Sequence, residues 1–299
     1  MESTMKMKIS RDDRIFDIIS YIILGLILIV TLYPIYFVVI ASFSDPTLVG
    51  SGQIVFWPKG LALEGYEQIF KDKTIWRGLF NSVYIVILAT LFNLFLTLPT
   101  AYVLTVKSFM FRSTLSKLLL FTMYFSGGLI PTYMVVSGLG LYNKPYTLIF
   151  LGGVSITNVI IAQTTIAGSI PYEMYEAVTI DGGDHFTFFT RFVLPLSKTI
   201  IAVLILYYGV EHWNDYYTGL IYLNDAEYFP LQLILRNILV LGQKVADDAV
   251  NADEALAALR RAELLKYCLI VVSSVPMFLI YPFIQKYFER GVMIGSVKG

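Results

Sequence analysis

Two short stretches of this chain concentrate the side chains that do chemistry in proteins. One carries Glu173, Glu176, Asp181, Asp184 and His185 around the pair Gly182-Gly183. The other is Glu211-His212-Trp213-Asn214-Asp215. Carboxylates grouped with histidine suggest a metal centre or acid–base catalysis first. Asp181-Gly-Gly-Asp184 lacks the loop spacing and terminal bidentate Glu of a calcium site, so it reads as a solvated turn. The chain has only two histidines, and the spans assigned below put them on opposite sides of a membrane, which leaves no histidine metal site. There is no G-x-x-x-x-G-K-[ST] phosphate loop, no G-x-S-x-G elbow and no H-E-x-x-H. No catalytic residue, metal ligand or cofactor is assigned to this chain. Transport or a structural role remains.

The elements that must position these residues follow from composition. Of 299 residues, 57% are hydrophobic and 15% charged, and mean hydropathy is +0.68. Soluble domains are about half apolar and a quarter charged, so the chain reads as a membrane protein. Formal net charge is zero, which gives no sign of nucleic-acid binding. The single cysteine, Cys268, allows no intramolecular disulfide. Charge-free intervals run over Ile18–Ser44, Gly78–Val106, Leu118–Asn143, Pro145–Tyr172 and Tyr267–Gln285. Each meets the roughly 20 residues needed to cross hydrocarbon as a helix. Thr199–Val210 becomes a further span if Lys198 snorkels and Glu211 lies near the other end. The prediction is an all-α membrane protein of about six spans, with no dyad alternation of barrel strands. Basic residues precede the first interval, but it exceeds the roughly 7–15 residues of a signal h-region, so it is read as an uncleaved span.

An even number of spans puts both termini on one side. The 107–117 connection has three basic residues and no acid, whereas 224–265 is more acidic than basic. This predicts cytoplasmic ends, 1–17 and 286–299, around a membrane region of 18–285, with outer loops at 45–77 and 224–265. The sequence VADDAVNADEALAALRRAELL reads as a helix feeding the last span. Gly127, Gly128 and Pro131 either break the third interval where it lines a cavity or are ordinary membrane-helix residues.

The segment 171–196 is too charged for lipid and must sit at the membrane face. Pro171 can start a short helix whose apolar contacts come from Tyr172, Met174, Tyr175, Ala177, Val178 and Ile180. Glu173 and Glu176 share one side at i, i+3 spacing. Gly182-Gly183 ends the helix, because glycine takes the left-handed conformation cheaply. Phe186, Phe188, Phe189 and Phe192 then lead into the next span. A plain wet loop between spans would satisfy the same pattern.

The spacing Glu176-Ala177, Gly182 and Leu194-Pro195 resembles the EAA loop, E-A-A-x3-G-x9-I-x-L-P, of the membrane subunits of binding-protein-dependent ABC importers. Val178 replaces the second Ala and Phe192 the Ile. Trp57-Pro58-Lys59-Gly60 with Glu64-Gly65-Tyr66, Asn81-Ser82, Pro131-Thr132-Tyr133 with Leu139-Gly140-Leu141, Trp213-Asn214-Asp215 and the ending 291–299 resemble the maltose-type carbohydrate permeases. The ending is similar to that of the oligosaccharide subgroup, including aldouronate- and alginate-type systems.

The resemblance implies a type I importer permease fold with a cytoplasmic coupling helix. It implies a coupling role for Glu173, Glu176, Ala177, Asp181, Gly182 and Gly183, and departures at Val178 and Phe192 that alter packing against the partner. It also implies a second permease subunit as heterodimer partner, two cytoplasmic ATPase subunits that bind ATP and Mg, an extracellular or periplasmic solute-binding protein, and a bacterial plasma membrane. Substrate-path candidates are Tyr124, Tyr133, Asn158, Tyr208, Glu211, Trp213, Asn214 and Asp215. Aromatic faces suit sugar rings, and polar groups near lipid face cavities. An interfacial aromatic belt explains Trp213 equally well. Asn93, Asn158 and Gln163 are read as interhelical bonds. An ion-coupled secondary transporter, an ABC permease for a non-sugar solute and a membrane-embedded enzyme are the competing readings.

Overall fold

A computed structural model describes residues 11–247 and 252–296. Among them every regular element is a helix. Three helices are long and apolar enough to cross a bilayer: Asp12–Ser42, Lys73–Val103 and Ala262–Ile280. Two bent pairs raise the number to five: Arg112–Tyr124 with Leu129–Gly138, bent by 112°, and His185–Leu196 with Lys198–Asn214, bent by 78°. The sixth expected span, Pro145–Tyr172, is not one helix. It divides into Thr147–Phe150 and the 14-residue Ile156–Ser169, the latter about 21 Å long at 1.5 Å per residue.

The breaks have local causes. Gly128 takes φ +85 and Gly152 φ +73, a region open to glycine and strained for other residues. The freed backbone finds partners: Ser126 Oγ accepts from the Gly128 amide at 3.2 Å, and the Gly152 carbonyl accepts from Asn93 Nδ2 at 2.9 Å. Breaking the third interval at Gly127-Gly128 is therefore the correct one of its two readings.

The chain forms two compact units. One comprises the chain up to Ile69 together with 238–271. Its first helix, Arg11–Ser42, has none of its most apolar window buried. A helix apolar all round and uncovered by protein belongs in lipid. At its end, Ile40, Ala41, Val49 and Ile54 form a small core with Tyr267. Gly65 allows close approach there: a Cβ would lie 2.7 Å from Cys268 Sγ and 2.9 Å from the Leu264 carbonyl.

The other unit, 70–237 with 272 onward, is centred on the 73–103, 156–169 and 198–214 helices. Ala89, Ala101 and Ala162 are fully buried, the small-residue contact that lets membrane helices pack closely. Thr97 and Tyr208 share a hydrogen bond of 2.7 Å. Such interhelical bonds average about 0.6 kcal/mol in membrane proteins, so they fix register more than they add stability. Within 224–265, Leu231–Asp247 and the start of Ala252–Ser296 are helical. The latter runs on without a break into the last span, as its composition predicts. Residues 1–10, 248–251 and 297–299, which include parts of the two predicted ends and of the terminal motif, lie outside the described residues.

Candidate functional site

The segment expected at the membrane face folds as a short two-faced helix, Tyr172–Ile180. Met174, Tyr175 and Val178 pack into the core formed by Tyr102, Ile166, Ile170 and Phe188. Glu173, Glu176, Ala177 and Ile180, at i, i+3, i+4 and i+7, are exposed. Ile180 is 86% exposed, so the apolar surface of Ala177 and Ile180 is left uncovered by the described residues of this chain. Glu176 has no hydrogen bond or ion pair among the described residues.

The helix ends in a Schellman motif. The Gly183 amide donates to the Val178 carbonyl at 2.8 Å and the Gly182 amide to Thr179 at 3.0 Å, with Gly182 at φ +84. This is the glycine-dependent stop expected from the sequence. Asp184 then caps the next helix, accepting from the Thr187 amide at 2.8 Å. The Thr187 hydroxyl, followed by its amide, holds the Asp184 carboxyl below the usual carboxylate range.

His185 does more than the sequence suggested. Its Nδ1 lies 2.9 Å from the Tyr102 hydroxyl and its Nε2 3.0 Å from the Tyr175 hydroxyl. Its ring also stacks on Tyr175, with centroids 4.4 Å apart. One imidazole thus ties the short helix to the end of the 73–103 span. Beside it is a cleft of about 330 Å³ whose lining includes Lys107, Arg112, Tyr172 and Glu173. Lys107 Nζ lies 5.2 Å from the centre of the Tyr172 ring. The predictive signal was Tyr175 ten residues before His185; Tyr102 had none. Each bond is worth about 0.5–1.5 kcal/mol net. His185→Ala should therefore speed amide exchange across 172–180 about tenfold, at about 1.4 kcal/mol per tenfold, as hydrogen-exchange mass spectrometry would measure. Unchanged exchange would show that apolar packing alone holds the helix.

The second stretch lines a separate recess of about 640 Å³. It lies where helices break, at 125–128, 151–155 and 215–216. Non-helical backbone of this kind is stable where it lines a cavity. Glu211, His212, Asn214 and Asp215 all contribute. Asp215 Oδ1 accepts from the Thr218 amide at 3.0 Å, and Asn214 Nδ2 donates to its own helix at Val210. Asn93 Oδ1 lies 2.7 Å from His212 Nε2. Because Asn93 Nδ2 donates to Gly152, its Oδ1 is the acceptor and Nε2 carries the hydrogen.

The other path candidates lie elsewhere. Tyr208 is 1% exposed and bonded to Thr97. Trp213 is 4% exposed, and its Nε1 donates to the Ser273 carbonyl at 3.1 Å. It is therefore a core residue, neither belt nor lining. Asn158 is buried at the start of its helix. Tyr124 is 85% exposed at a helix end. Tyr133 stacks on Tyr222, which does line the recess. Gln163 Nε2 donates to the Leu104 carbonyl at 3.3 Å, an interhelical bond as expected.

No family model matches the chain. The polygalacturonan/rhamnogalacturonan transport system permease protein YtcP of Bacillus subtilis is 35% identical over 287 residues, covering 96% of this chain and 99% of that protein. The chain belongs to the ABC importer permease family. Protein LplC of the same organism is 35% identical, covering 96% of both chains. Among solved structures, a bacterial ABC transporter involved in import of the acidic polysaccharide alginate aligns with a TM-score of 0.82. Identity is 28%, over 93% of this chain and 98% of that one.

Several permease motifs acquire structural roles. Asn81 Nδ2 donates to the carbonyls of Glu227 and Phe229, and Ser82 Oγ accepts from the Leu231 amide at 2.8 Å. The pair thus fastens the 227–231 turn to the 73–103 span. The two departures from the EAA pattern point inward: Val178 packs in the core and Phe192 stacks on Phe188 at 5.7 Å. Both half-buried side chains take part in this permease's own packing.

Proposed function

We propose that this chain is the membrane-spanning subunit of an ATP-driven importer of oligosaccharides. The observation that carries this is the 172–180 helix: one face is held by the permease core, and the other offers Glu173, Glu176, Ala177 and Ile180 to a partner. An acid set among small and apolar groups fits a cleft with a basic residue. ATP and Mg would be held by two cytoplasmic ATPase subunits seated on this helix and its counterpart in a second permease subunit. Closure of the ATPases would push the helix, and the Tyr175–His185–Tyr102 bridge would pass that displacement to the 73–103 span. Asp181, Gly182 and Gly183 would keep the helix end rigid, since a bistable packed element transmits motion and a slack loop does not.

Saccharide as cargo is supported by YtcP, by the alginate importer and by the arabinooligosaccharide transport system permease protein AraQ of Halalkalibacterium halodurans, 26% identical over 275 residues. An extracellular or periplasmic binding protein would deliver it. Both termini would lie in the cytoplasm of a bacterial plasma membrane, with the 172–180 helix on the same side. The test is assembly and coupling: copurification with an ATPase subunit, then oligosaccharide-stimulated ATP hydrolysis in proteoliposomes supplied with the binding protein. Purification free of any ATPase, or hydrolysis indifferent to every saccharide, would end this reading.

A further inference from the structure

The first outer loop is apolar where an aqueous loop would be polar. Between Asp45 and Glu64 the sequence has a single charged residue, Lys59. Val55, Phe56, Trp57 and Leu61 all stand out from the fold, Trp57 being 75% and Leu61 80% exposed. Single exposed apolar residues are ordinary, but a cluster of them marks a surface that meets something other than water. The loop that carries them is firmly built. Ile54 is buried in the small core with Ile40, Ala41 and Val49. The Lys59 carbonyl accepts from the Asp45 amide, and the Phe43 carbonyl from the Ala62 amide, both at 3.0 Å. Two tyrosines one turn apart tie the apex to the first span. The Tyr33 hydroxyl donates to the Val55 carbonyl at 3.2 Å, and the Tyr36 hydroxyl to the Phe56 carbonyl. The Tyr33 and Phe56 rings meet edge-on, with centroids 6.1 Å apart.

These two tyrosines set the depth of the apex. They stand about 24 and 29 Å along the helix from Asp17, the last charge before the span, at 1.5 Å per residue. The hydrocarbon core is about 30 Å thick, so the apex meets the span at the far boundary of the core, where headgroups begin. Hydrogen bonding selects the same depth. The Val55 and Phe56 carbonyls are satisfied from within, as proximity to hydrocarbon demands. The amides of Val55, Phe56 and Trp57 and the Trp57 indole make no hydrogen bond among the described residues. The apex therefore presents apolar groups and open donors side by side. Phospholipid phosphate and ester oxygens are acceptors set directly over acyl chain, which matches both demands. Tryptophan favours that boundary, and a lysine such as Lys59 can extend its ammonium to the phosphates. We propose that residues 55–63 are an interfacial lipid anchor. Val55, Phe56, Trp57 and Leu61 enter the headgroup–acyl boundary of the leaflet opposite the N-terminus, and Tyr33 and Tyr36 hold the apex there.

The test uses the permease reconstituted in liposomes with the subunits that copurify with it. Trp57 fluorescence is taken as the difference between wild type and Trp57→Phe, a conservative change at an exposed position that cancels every other tryptophan. Lipids brominated near the headgroup should quench this signal at least about twofold more than lipids brominated at the acyl terminus, as for a tryptophan of the interfacial belt. Aqueous iodide should leave it nearly unchanged. Tyr33→Phe/Tyr36→Phe keeps both rings and removes both hydroxyls, and should cut the bromolipid quenching by about half, since uncapped carbonyls draw the apex toward water. Quenching by iodide and not by bromolipid would place the apex in water and overturn the proposal. Quenching by neither would mean that another subunit covers it, and overturns the proposal equally. Bromolipid quenching unchanged in the double tyrosine variant would overturn the part given to the two hydroxyls.

Discussion

Glu176→Lys is expected to reduce oligosaccharide uptake at least about tenfold while the permease still folds and inserts. The separation of effects follows from the residue's position. Glu176 is exposed and makes no hydrogen bond or ion pair among the described residues, so reversing its charge removes none of the contacts that hold the described fold. Surface substitutions of this kind stay within about 0.5 kcal/mol of wild-type stability. At the docked interface proposed above, the same change would set a lysine against a basic cleft, and truncating one partner of a buried charge pair costs about 2–5 kcal/mol. A loss of 1.4 kcal/mol already gives tenfold. ATPase retention on affinity purification and uptake in proteoliposomes should fall together, with the melting temperature unchanged. Ile180→Ala should show the same pattern more weakly, through lost apolar contact. Full uptake and normal ATPase retention in Glu176→Lys would remove the 172–180 helix from the coupling path.

Gly183→Ala is expected to damage the same function by the opposite route, through the fold. A Cβ at Gly183 would lie 2.5 Å from Val178 Cγ1 and 3.0 Å from the Val178 carbonyl. That carbonyl accepts the Gly183 amide and closes the helix end. Overpacking of this kind costs about 1–3 kcal/mol, and its relief is to unwind the Schellman turn. The variant should exchange amides faster across 172–183 and lose coupling. Adding Val178→Ala, which also restores the second alanine of the EAA pattern, removes the methyl contact and leaves the carbonyl contact. Partial recovery of exchange protection and uptake is therefore expected. Recovery absent in the double variant, with Gly183→Ala itself impaired, would mean that the methyl group is not the obstacle. Gly182 behaves differently: a Cβ there meets open space, and φ +84 is the constraint. Asn, which tolerates the left-handed region, should replace it better than Ala.

The two glycines illustrate what the sequence conveyed. Gly182 was legible because the motif names it and because a helix stop needs a left-handed residue. Gly183 was read with it as part of the same stop, but its steric closeness to Val178 exists only once the turn has folded. Glu211 and Asp215 were legible as polar residues near a span end, and both line the recess. Tyr208 and Trp213 carried the same aromatic signal but are core residues, because a tyrosine or tryptophan with its polar atom bonded inside is indistinguishable in sequence from one offered to a sugar. Pro145–Tyr172 was charge-free and long enough for a span, and is not a single helix because Gly152 takes a backbone conformation that ends one.

By itself, the sequence determined that the chain lives in lipid, where its helices run, and which charged segment lipid excludes. Those follow from transfer energies and local backbone preference, which act residue by residue. The tertiary structure alone decided which face of the 172–180 helix is spent on the core, that His185 joins Tyr102 to Tyr175, and that three broken helices bring Glu211 and Asp215 to one recess. These depend on contacts between segments far apart in the chain, for which hydropathy and spacing carry no term.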